Sequence, residues 1–138
     1  MLYAQFRLLE RQLEQGDPTD LQGLKAQGRL LEAAIVAHAR AEDQILFEAL
    51  SPAAEAAGPL AVMNYEHREI EGALQGLQAA PEAATAEQLL VDAIALCRDH
   101  FAKEEQVLFP LAERRLGDAE LRRLGAEWAA ARGFMAAV

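Results

Sequence analysis

Each of the three histidines in this chain is followed four residues later by a glutamate: His38 by Glu42, His67 by Glu71 and His100 by Glu104. Residues four apart on a helix are neighbours on one face, so each carboxylate lies one turn from its imidazole and points the same way. All three pairs also fall on apolar stripes of helical period. Leu31, Ile35 and Ile45 flank the first, Met63, Ile70 and Leu74 the second, and Ile94, Cys97, Phe101 and Leu108 the third. The fold must therefore carry acids and imidazoles in its interior. An isolated carboxylate there costs several kcal/mol unless it is neutralised, hydrogen-bonded or bound to a cation. Three such pairs meeting at one level call for a cation.

Composition decides what surrounds them. Thirty Ala and twenty-one Leu among 138 residues, against eleven Val, Ile and Thr together, predict a mostly helical chain. Leu2, Phe6, Leu9 and Leu13 mark a first helix over roughly 2–15, which stops at Gly16-Asp17-Pro18. With Asp17 as its cap, a long second helix runs over roughly 19–50; Gly23 and Gly28 in its first third predict a bent or frayed start. Gly58-Pro59 opens a third helix that ends before Pro81, and a Thr85–Gln88 capping box opens a fourth that reaches Gly117. Asp118 begins a shorter fifth segment ending near Gly133. The expected fold is all-α: one domain, with an antiparallel up-down four-helix bundle over about 1–116 and a short C-terminal helix over about 118–133. That last helix is expected to lie across one end of the bundle or to meet a partner, which leaves a homodimer open.

The chain also repeats itself. His38 to Phe47 aligns with His100 to Phe109 at an offset of 62, sharing the His, Glu, Gln, Leu and Phe, and Phe6 to Leu13 aligns with His67 to Leu74 at an offset of 61. Each half is thus one helical hairpin, and the bundle should have approximate two-fold symmetry.

A formal charge of −9 and a pI near 4.8 repel phosphates, so nucleic acid is not an expected partner. No apolar run reaches the roughly 20 residues of a membrane span, and the first residues lack a signal-peptide layout. The expectation is a soluble cytoplasmic protein with no membrane partner. One cysteine, Cys97, excludes an intramolecular disulfide and a thiolate metal site.

Imidazole with carboxylate suits iron, manganese or zinc better than calcium. Two acids able to bridge, with several histidines inside a helical bundle, favour a dinuclear non-haem iron centre. The sequence resembles the hemerythrin-like, or HHE cation-binding, family. The resemblance is carried by His38-x-x-x-Glu42-Asp-Gln-Ile-Leu-Phe47, by Glu66-His67-Arg68-Glu69-Ile70, and by His100-Phe101-x-x-Glu104-Glu105-x-x-Leu108-Phe109-Pro110. It implies a four-helix bundle around two irons, with Glu42 and Glu104 bridging, His67 and His100 on one iron and His38 on the other. It further implies a small diatomic ligand, dioxygen or nitric oxide, bound or sensed there, or a store of labile iron.

The chain also departs from that family's pattern. Where the first helix usually supplies a histidine, this chain has Phe6, and where some members carry a second third-helix histidine it has Glu71. Symmetry makes Glu10 the counterpart of Glu71, and both join the candidate ligand set of His38, Glu42, His67, His100 and Glu104. Three alternatives stand beside this set. Glu10 can instead pair with an arginine on the surface, the site can be mononuclear, or the chain can be a helical interaction module whose His–Glu pairs only hydrogen-bond one another.

Overall fold

The computed structural model describes residues 7, 8, 10, 11 and 20–136, and all regular structure among them is helical. Residues 7, 8, 10 and 11 are helical, in keeping with the expected first helix; Phe6 and the Asp17-Pro18 cap lie outside the described residues. Helix α1 spans Leu21–Ala41 and is capped by Asp20, whose Oδ1 accepts from the Gly23 backbone N–H at 2.6 Å. A π turn, Glu42–Phe47, leads into α2, Glu48–Leu50. After a 3₁₀ turn at Ala54–Ala56 comes α3, Ala57–Ala79, and then α4, Ala83–Lys103. A second π turn, Glu104–Leu108, precedes α5, Phe109–Arg115, and α6 covers Asp118–Ala136.

The buried positions reproduce the stripes read from the sequence. Leu24, Leu31 and Ile35 of α1 meet Ile70, Leu74 and Leu77 of α3 and Leu90, Ile94 and Cys97 of α4 in one apolar cluster. A second cluster gathers Leu46, Phe47 and Leu50 with Met63 of α3 and Leu108 and Leu111 beyond α4. The chain therefore runs from the first cluster to the second along α1, back along α3 and out again along α4, as an up-down bundle must. Between the two clusters lie the three histidines, one on each of α1, α3 and α4, with Glu42 and Glu104 at the start of the π turns.

Three local expectations change. The start of α1 is ordered α-helix from Leu21 onward, and Gly28 is buried within it with Leu77 of α3 packed directly over its backbone. A side chain there would occupy the space Leu77 fills, so the glycine serves close helix approach. Thr85 does not cap α4. Helix α4 begins two residues earlier with Glu82 in extended conformation (φ −136°, ψ 151°), and Gln88 donates to Asp92 Oδ1 instead. The π turns had no counterpart in the periodicity reading. Each is closed by an i→i−5 bond, from Glu48 N–H to the Asp43 carbonyl and from Phe109 N–H to the Glu104 carbonyl. Each begins at the glutamate of a His-x-x-x-Glu pair, and each rotates the stripe that follows. Phe109 is 37 % exposed, whereas its repeat partner Phe47 is buried at 6 %.

Candidate metal centre

Glu42, His67, His100 and Glu104 are the buried polar or charged residues among those described. One ligand atom from each lies within 4.8 Å of all the others. His67 Nε2 and His100 Nε2 are 2.9 Å apart, His100 Nε2 is 2.8 Å from Glu104 Oε1, and His67 Nε2 is 3.9 Å from Glu42 Oε2. His38 completes the group, with Nε2 against Glu42 Oε1 and 3.5 Å from Glu104 Oε1. Five of the seven residues singled out in the sequence thus converge on one level of the bundle.

The other two do not. Glu10 is held by Arg98 of α4 through two hydrogen bonds, Nε to Oε1 at 3.0 Å and Nη2 to Oε2 at 2.7 Å. Of the two readings open for Glu10, the pairing with an arginine is the one the structure displays. Glu71 is half-buried on α3 and lies outside the cluster. The reason is helix direction: α1 and α4 run antiparallel to α3, so four residues past His38 or His100 leads toward the cluster, whereas four past His67 leads away. The symmetric carboxylate-rich arrangement is replaced by one in which Glu42 and Glu104 are the central acids.

Electrostatics around the cluster depend on burial and on partners. Burial, then the neighbouring His100, lowers the pKa of His67 to about 4, which keeps its ring neutral at neutral pH. For His38 burial again pulls downward, but Glu104 and Glu42 outweigh it and raise the value to about 9. His100 is raised in the same way, burial opposing and Glu104 prevailing. Burial would push Glu104 up, yet the imidazoles of His100 and His38 beside it hold it below the ordinary carboxylate range. For Glu42 burial wins, and its pKa is raised. The two acids are thus driven apart, one ionised and one protonated, as expected of like charges sharing a buried site. Cys97, one turn from His100, is pushed by burial up to about 12 and is an inert core thiol.

Aromatic rings wall the cluster. Phe47 stacks on His67 with centroids 6.0 Å apart, and Phe101 meets His38 edge-on at 5.0 Å. One residue that the sequence offers only as part of the motif Glu66-His67-Arg68-Glu69-Ile70, outside the candidate ligand set, joins the site: Glu66, whose Oε1 lies 3.2 Å from His100 Nδ1. Its only signal was its place immediately before His67.

A family model described as the hemerythrin HHE cation binding domain matches residues 1–112. The chain belongs to this family. No match was found among curated proteins or among solved structures. The family implies a bound cation, and this hemerythrin-family chain fits one on its own geometry. Both Glu42 oxygens and Glu104 Oε1 are buried without a hydrogen-bond donor in acceptable geometry. Oxygens in that condition are costly in a protein interior and are the atoms a cation would satisfy. The donors are imidazole nitrogens and carboxylate oxygens, a set suited to first-row metals such as iron, manganese and zinc. No helix among the described residues is long and apolar enough to cross a membrane.

Proposed function

We propose that this chain holds non-haem iron in its core, as a dinuclear centre when fully loaded, and uses it to bind or sense dioxygen or nitric oxide, or to keep iron in exchangeable form. In this reading Glu42 and Glu104 are the shared carboxylates, His67 and His100 serve one ion, and His38 serves the other. Iron supplies a redox-active Lewis acid with room for a small diatomic ligand. The chain's own residues do the rest. His67 is neutral and ready to donate, the Phe47 and Phe101 rings keep bulk water from the cluster, and the two acids supply the negative charge.

The observation that carries this reading is Glu42, which is 0 % exposed and whose two oxygens receive no hydrogen bond in acceptable geometry. Elemental analysis of protein reconstituted with ferrous iron under anaerobic conditions, followed by absorption spectra before and after air, tests it. One or two irons per chain and new charge-transfer bands in air are expected; a metal-free protein with no spectral change refutes it.

A mononuclear site is a second reading, favoured by the compactness of the cluster. Metal–ligand bonds of about 2.1 Å place opposite donors roughly 4 Å apart. The four donor atoms within 4.8 Å match one such shell. The same elemental analysis separates one ion from two.

A further inference from the structure

His100 is 1 % exposed, and its two ring nitrogens face different surroundings. Nε2 points into the cluster, 2.8 Å from Glu104 Oε1 and 2.9 Å from His67 Nε2. Nδ1 points the other way, 3.2 Å from Glu66 Oε1 on α3. The second Glu66 oxygen accepts from Lys103 Nζ on α4, and the Lys103 side chain is 49 % exposed. A chain of charged groups therefore leads from the buried ring to the surface. Nothing in the proposed function uses it.

We propose that Glu66, held by Lys103, is a positioning residue that fixes the His100 ring with Nε2 as its ligand atom and sets how strongly that atom donates to a cation. The inference rests on the reading that the cluster holds a metal. A histidine whose Nδ1–H donates to a carboxylate keeps the lone pair on Nε2, so the tautomer is decided by the hydrogen bond on the far side of the ring. The negative charge of that carboxylate makes the imidazole a stronger donor, and the ammonium of Lys103 pulls in the opposite direction. Glu66 and Lys103 thus act on His100 with opposite signs.

The internal repeat shows that this arrangement is not a general property of the bundle. At offsets of 61 and 62, the positions matching Glu66 and Lys103 are Gln5 and Ala41, neither of which carries a charge. The carboxylate–lysine pair belongs to the His67–His100 half alone.

Cobalt(II) is a suitable probe, since its absorption reports coordination and its affinity can be measured against a competing chelator. Glu66→Gln leaves an amide oxygen able to accept from Nδ1–H but removes the charge. It is expected to weaken cobalt binding by about 10–100-fold and to shift the visible bands. Lys103→Met leaves the Glu66 charge unopposed and is expected to tighten binding a few-fold. Thermal midpoints of the metal-free variants report folding; if Glu66→Gln does not fold, the half-exposed Lys103 position decides alone. Affinities that move in the same direction, or that stay at the wild-type value, overturn the inference while leaving the metal site standing. A wild-type protein that takes up no cobalt overturns both.

Discussion

Glu42→Met is expected to stabilise the metal-free protein while removing its ability to hold metal. The glutamate is fully buried, burial raises its pKa so that it is protonated at neutral pH without metal, and neither oxygen receives a hydrogen bond in acceptable geometry. A buried polar group left unsatisfied costs about 1–3 kcal/mol. Methionine is an unbranched side chain of similar length, adapts to irregular space and carries no such cost. His38 loses its contact with Glu42 but keeps Glu104 at 3.5 Å. The metal-free variant should therefore gain about 1–3 kcal/mol, roughly 3–10 °C in Tm for a chain of this size. With metal the order reverses. A ligand at 100 times its Kd adds about 2.7 kcal/mol to the wild type and little to a variant without the central acid. Differential scanning calorimetry in chelator and then in excess ferrous iron under anaerobic conditions measures both states. A metal-free Glu42→Met protein that melts below wild type would refute the reasoning, because Glu42 would then belong to a satisfied structural network.

Three further outcomes are expected. Gly28→Ala places a methyl group into Leu77, with Cγ only 3.1 Å away, and overpacking of about 1–3 kcal/mol should exceed the roughly 1 kcal/mol gained in helix propensity; urea denaturation should show a lowered midpoint, and a raised one would contradict the packing. The metal-free protein should hold nearly level stability between pH 4.5 and 6.5, where Glu42 and His67 act in opposite directions, and lose it as pH rises from 6.5 to 9, where Glu42, raised to about 8, and His38 act together. The lowered pKa of His67 gives stability that is present above its unfolded value and lost as pH falls toward 4, whereas the raised pKa of His38 gives stability that is full below 6.5 and lost as pH rises through about 9. Metal affinity should instead climb over that upper window, since a cation must displace the His38 proton, and Tm curves and chelator competition from pH 5 to 9 check the pair. Glu10→Gln breaks a half-exposed ion pair and should cost at most about 1 kcal/mol while leaving metal content unchanged; loss of metal would restore Glu10 to the ligand set.

The sequence was most informative where one face of a helix carried both packing and chemistry. His67, His100, Glu42 and Glu104 could be found because each sits in phase with apolar neighbours, and burial follows phase. Glu71 was drawn in by its spacing from His67 and Glu10 by repeat symmetry with Glu71, and both rules count positions along a helix but not the direction in which it runs. Antiparallel packing sends Glu71 away from the cluster, and Arg98, distant in sequence, takes Glu10. The π turns were hidden for a different reason. A single extra residue in a turn leaves the local composition unchanged, and no residue type marks where it enters. Pro110 gave half a hint, since it cannot donate to the Gln106 carbonyl, but Glu48 stands at the matching place in the first half and offers none. Glu66 stood in the quoted motif without a role because a carboxylate that supports a ligand from behind has no spacing rule. Gly28 showed the limit of propensity: its cost to the helix is local, whereas its reason, Leu77, comes from another helix.

A cation held between buried acids and imidazoles is the heart of this bundle's chemistry, and anomalous diffraction at the iron edge from iron-loaded crystals tests that most directly. A peak about 2.1 Å from ligand atoms of Glu42, His67, His100 and Glu104 is the predicted result. A peak at the protein surface, or an interior without one after loading, would contradict it.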